Sequence, residues 1–160
     1  MTNFCFLIGK EDIMTLIETL KQDLITAMKE KDKDKLNTLR SVKGALQLEI
    51  INNKKEENDE LLLDVINKQI KMRNDSIEEF KKAGRDDLIN SYQREIDILN
   101  KYMPEMLSEE ELNEIINNAI TKIGATSVKE MGLVMKEITP LVKNRCDMKK
   151  VSSKIRDLLN

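Results

Sequence analysis

The sequence predicts an all-α protein, and three observations carry that prediction. Aromatic residues make up only 3% of the 160-residue chain, while Leu, Ile, Lys, Glu and Asn dominate it. That composition suits helices packed through aliphatic side chains. Gly occurs five times and Pro twice, so both act as punctuation. Apolar residues recur at spacings of three and four, the period of a helix with one buried face.

The pattern predicts a four-helix unit over 14–103 and a three-helix unit over 104–160. Thr15 and Glu18 have capping-box spacing and open a helix over 15–30, with Leu16, Ile17, Leu20, Leu24, Ala27 and Met28 on one stripe. After the charged turn KEKDKD a second helix covers 33–53, with Leu36, Leu39, Val42, Lys43, Leu46 and Ile50 facing inward. A solvated connection at 52–60 leads to a third helix over 60–82, which Gly84 caps in the left-handed conformation. The fourth runs from Asp86 or Asp87 to Tyr102, with Leu88, Ile89, Tyr92, Ile96 and Leu99 inward, and Pro104 marks the boundary. Ser108 and Glu111 box the fifth helix, whose stripe is Leu112, Ile115, Ile116, Ala119, Ile120 and Ile123 up to Gly124. Ser127 and Glu130 box a sixth, carrying Val128, Met131, Val134, Met135 and Ile138 and expected to end before Pro140. Asp147 caps the seventh, which carries Met148, Val151, Ile155, Leu158 and Leu159.

Residues 1–13 read differently. They hold Phe4 and Phe6 and precede a second methionine, Met14. Codons for Lys10-Glu11-Asp12 can be written AAG-GAG-GAT, a ribosome-binding site just upstream of Met14. The expectation is that the natural chain starts at Met14. The alternative is a short apolar arm, and N-terminal sequencing of native protein distinguishes the two.

Composition narrows the chemistry. The chain has no histidine, which removes the commonest general base, the commonest metal ligand and any Ser-His or Cys-His pair. Cys5 and Cys146 make no disulfide framework and point to a reducing, cytoplasmic setting. No apolar run approaches the roughly 20 residues that span a bilayer. The net charge of -2 argues against a wholly basic nucleic-acid binder and leaves room for a local basic face. There is no Gly-rich phosphate loop and no carboxylate cluster with metal spacing, so no metal site and no cofactor are expected.

Two constellations remain. Arg73 lies on the stripe Leu62, Ile66, Gln69, Arg73, Ile77 and Phe80, where a core residue is expected. A buried guanidinium needs an acceptor. One reading is a polar network through Glu95 or Glu49. The other is an anion groove built from Arg40, Lys43 and Arg73. The second constellation is a charge asymmetry: Glu105, Glu109, Glu110, Glu111 and Glu114 crowd the front of the C-terminal unit. Lys136, Lys143, Arg145, Lys149, Lys150, Lys154 and Arg156 crowd its back. Such a back could present cations to a phosphate backbone or be an ordinary solvated surface. Cys146 beside Arg145 and Lys143 is a thiol whose pKa these cations could lower.

The stretch KQIKMRNDSIEEFKKAGRDDL, followed by EIDILNKYMPEMLSEEEL, resembles the bacterial YqeY family. Its members are small all-helical proteins that share their C-terminal half with the tail of the GatB subunit of the tRNA-dependent amidotransferase. The resemblance runs from Met14 to Leu159. It includes ATSVKEMGLVM at 125–135 and VKNRCDMKKV at 142–151, where Asn144 and Met148 replace glycines usual in the family. The amidotransferase tail helps to hold tRNA while other parts perform catalysis. The resemblance therefore implies RNA contacts through Lys143, Arg145, Lys149, Lys150 and Lys154, with Asp147 in the same loop and Gly132 allowing close approach. The expected function is a non-catalytic tRNA- or RNA-binding accessory protein. The alternative is an adaptor for the amidotransferase or the translation machinery. Carbon–nitrogen ligase activity with glutamine as amide donor is implied by the resemblance alone.

Overall fold

A computed structural model describes residues 14–160, so the expectations for residues 1–13 lie outside it. The described residues form seven α-helices and one short 3-10 turn, with no strand among them. They divide into two compact units that part between Tyr102 and Met103.

In the first unit, α1 (Leu16–Glu30) starts at a complete capping box: Glu18 N–H donates to Thr15 Oγ1 at 3.2 Å and Thr15 N–H to Glu18 Oε2 at 2.8 Å. Asp59, distant in sequence, adds a second cap, accepting the N–H groups of Leu16 (2.9 Å) and Ile17 (3.1 Å). α2 (Lys33–Asn53) is capped by Asp32 and α3 (Asp59–Lys82) by Asn58. α3 ends as a Schellman motif, with Gly84 at φ 65°, its N–H on Lys81 O and the Arg85 N–H on Phe80 O. α4 (Asp86–Asn100) returns along α3. The core holds Leu20, Leu24, Leu39, Val42, Leu46, Leu62, Ile66, Ile77, Ile96 and Leu99. Each such side chain contributes about 1.5–3 kcal/mol on burial. Tyr102 closes the unit by donating its hydroxyl to Asp23. Burial first, and then that carboxylate, push the phenol's pKa above its ordinary value.

Four residues expected to face inward do not. Lys43, Met28, Val128 and Leu158 are exposed. Lys43 follows Val42, the centre of the buried face, and one residue is a rotation of 100°. That places it on the shoulder, where an ammonium stays hydrated.

The second unit packs α5 (Glu109–Ile123) on α6 (Met131–Val142) and α6 on α7 (Met148–Leu159). Its core joins Leu112, Ile116, Ala119, Val134, Ile138, Val142, Val151, Ile155 and Leu159. Two boundaries differ from expectation. The Ser127–Glu130 box opens a 3-10 turn, Val128–Glu130, ahead of α6. α6 also continues through Pro140 to Val142. Pro140 removes one N–H donor near the helix end, where the orphaned Lys136 carbonyl lies on an exposed turn that water can reach. Continuing the turn buries Val142 beside Ile138, and the Lys143 N–H still reaches Thr139 O at 2.9 Å. Asn144 is left-handed at φ 61°, whereas Met148 is simply the first residue of α7.

Candidate functional site

Arg73 is the buried charge of the first unit. Its Nε donates to Glu95 Oε2 at 2.8 Å, and its Nη1 donates to the Gln69 carbonyl (3.2 Å) and to Gln69 Oε1 (2.7 Å). Glu49 is committed elsewhere, to Lys68 at 3.5 Å and to Asn53. Arg73 therefore directs its Nε and Nη1 to acceptors within α3 and α4. Arg40 and Lys43 point to solvent from α2, so the three cations do not converge on an open groove. A recess of about 120 Å³ lies between Glu49, Lys55, Leu61, Asp64, Val65 and Lys68. It is smaller than sites that enclose organic substrates.

The five cations expected to meet RNA have different surroundings in the second unit. Lys150 and Lys154 both clamp Glu109 at the start of α5, and Lys154 also donates to Asn113 Oδ1 at 2.8 Å. Arg145 is half-buried: its Nε donates to the Glu105 carbonyl at 3.2 Å, and its own carbonyl accepts the Leu107 N–H at 2.8 Å. It ties the segment before α5 to the loop before α7. Lys143 is half-buried and partnered. Lys149 alone of the five is exposed and pairs with no carboxylate among the described residues.

Lys149 is not isolated. Lys149, Ser153 and Arg156 are exposed at spacings of four and three, so they share the outer face of α7. The two cations stand two turns apart, about 10 Å along the axis. Ahead of and along α6, Lys129 of the 3-10 turn and Gly132 and Lys136 of the helix are likewise all exposed. A Cβ built on Gly132 would meet nothing within 4 Å, so no packing inside the unit requires glycine there. Lys129 and Lys136, like Arg156, pair with no carboxylate among the described residues. Helical phase, applied to every cation and not only to the densest run, would have found these faces.

Among the described residues no three Cys, Asp or Glu side chains gather as metal ligands. Burial and then Asp147 raise the Cys146 thiol pKa, and Arg145 opposes them only in part. That reverses the lowering expected from its basic neighbours: the half-buried thiol is held in its unreactive form. No helix of the described residues is long and apolar enough to cross a membrane.

Comparison with known proteins agrees with the sequence resemblance. The model of the Yqey-like protein family matches residues 17–159. A protein of Pyrenophora tritici-repentis named "Altered inheritance of mitochondria protein 41, mitochondrial" is 35% identical over 151 residues, covering 90% of this chain and 81% of the relative. Relatives of the same name from Saccharomyces cerevisiae and Kluyveromyces lactis are 38% and 37% identical, over 71% and 67% of this chain. The matches span 65% and 60% of those two yeast proteins, which are longer than the aligned part.

Proposed function

This chain belongs to the YqeY family, and from that premise we propose that it is a non-catalytic RNA-binding accessory protein of the cytoplasm, with tRNA as the expected ligand. The reading is carried by the pairing pattern in the C-terminal unit. Glu109 neutralises Lys150 and Lys154, but Lys149 and Arg156 on α7, Lys129 on the 3-10 turn and Lys136 on α6 are exposed and pair with no carboxylate among the described residues. Such cations contact phosphates without reading bases, and each contact releases counterions. The phosphate contacts are thus Lys149 and Arg156 first. Lys150 and Lys154 form a reserve that becomes available when a phosphate displaces Glu109, and Lys143 and Arg145 hold the loop. Surface pairs of this kind contribute only about 0–1 kcal/mol, so displacing Glu109 is feasible.

The test is fluorescence anisotropy with labelled tRNA at two salt concentrations. Binding should weaken as salt rises, with a log–log slope near −3 to −4 if about four phosphates are contacted. Lys149→Glu/Arg156→Glu should abolish it, and Glu109→Gln should strengthen it by freeing two ammonium groups. An absence of binding at low salt, or binding indifferent to both variants, refutes the proposal.

A further inference from the structure

α2 presents a second face that the RNA reading does not use. Opposite its buried residues Leu39, Val42 and Leu46 lies a stripe of Arg40, Gly44, Leu48 and Ile51, all exposed. Leu48 is 60% and Ile51 72% exposed, the latter the most open large apolar side chain among the described residues. Gly44 sits between Arg40 and Leu48 in the middle of a 21-residue helix. Glycine weakens a helix interior, yet nothing lies within 4 Å of a Cβ placed there. The packing of the unit therefore gives no reason for it. An external reason is close approach, because a missing side chain in an i, i+4 ridge lets a crossing helix settle nearer.

Charge selects the visitor. Among the described residues the Arg40 guanidinium donates to the Met28 sulfur at 4.0 Å and pairs with no carboxylate, and neither does Lys43 on the shoulder. Asn37, Ser41 and Gln47 complete the exposed rim, and the one carboxylate between Arg40 and Ile51, Glu49, is half-buried and engaged by Lys68 and Asn53. We propose that this α2 face docks an acidic amphipathic helix of a partner protein. The partner's apolar ridge crosses at Gly44 onto Leu48 and Ile51, and its flanking carboxylates meet Arg40 and Lys43. The site lies on the N-terminal unit, and the proposal stands or falls independently of RNA binding by the other unit.

A displayed library of random 16-residue peptides, selected on the immobilised full chain and counter-selected on Leu48→Glu/Ile51→Glu, tests it. The expected winners carry apolar residues at i, i+3 or i+4 and i+7, flanked by Asp or Glu. A synthesised winner should bind at least tenfold more weakly to Arg40→Glu/Lys43→Glu. Gly44→Gln should also weaken binding tenfold while raising the urea midpoint, so affinity and stability move in opposite directions. Winners that are basic or non-helical, or no enrichment over the counter-selection, overturn the proposal. So does a tRNA, an anionic phosphatidylserine vesicle or a second copy of the chain occupying this face, read as loss of binding to each in the Leu48→Glu/Ile51→Glu variant.

Discussion

Removing the carboxylate from Arg73 is the sharpest test of how the N-terminal unit is held. The Arg73 side chain is 11% exposed and that of Glu95 26%, with 2.8 Å between Nε and Oε2. Breaking a buried pair by deleting one partner costs about 3–5 kcal/mol, because a desolvated charge remains. Two features reduce that figure here. Glu95 is a quarter open, so water can enter its place, and Gln69 keeps both of its bonds to Nη1. Glu95→Ala should therefore cost about 2–3 kcal/mol. With a urea slope of about 1–3 kcal/mol per molar, the midpoint should fall by about 0.7–3 M. Tyrosine fluorescence isolates the effect: the chain has no Trp, and Tyr92 and Tyr102 both lie in the first unit. Replacing both partners, Arg73→Met/Glu95→Met, should cost less than about 1 kcal/mol, since neither charge is then left alone. If Glu95→Ala shifts the midpoint by less than about 0.3 M, or if the double variant is worse than either single one, the argument fails.

Three further perturbations follow from backbone and titration. Gly44→Ala fills open space in a helix and should stabilise the first unit by about 1 kcal/mol, read from the same urea midpoint. Lys31 ends α1 at φ 58°, with the Asp32 N–H on Ala27 O at 3.0 Å, so Lys31→Gly should gain about 0.5–1 kcal/mol after the entropy of a freer unfolded chain is subtracted. Glu111 accepts the Ser108 N–H at 2.9 Å, and that bond chiefly holds its carboxyl below the usual range. A depressed carboxyl stabilises the fold above its unfolded pKa of about 4.3 and loses that contribution as pH falls through the folded value. Glu111→Gln should thus flatten the acid limb of unfolding of the C-terminal unit, measured by amide exchange in α5 between about pH 5 and 3.

Local signals were legible wherever a residue acts on its own neighbours. The Thr15–Glu18 and Ser108–Glu111 boxes both form, Gly84 and Gly124 are left-handed, and Asp147 caps α7. Pro140 misled because proline's helix-breaking rule weighs a lost donor but not the burial of Val142 that the extra turn secures. Lys43 departs from the pattern because the helical stripe of α2 is wider than the face the core covers. The sequence shows how many cations the C-terminal unit carries, but not which of them pair.

By itself, then, the sequence determined the all-α class, the helix starts and stops, and the stripe on which Arg73 sits, since all of these depend on interactions within about four residues. Its motifs also identified the family. Only the tertiary structure decided which distant groups meet. It chose Glu95 over Glu49 for Arg73, brought Asp59 onto the first N–H groups of α1, and set Glu109 against Lys150 and Lys154 while leaving Lys149 and Arg156 open. Those choices depend on how helices far apart in sequence are packed side by side, and neither periodicity nor composition encodes that placement.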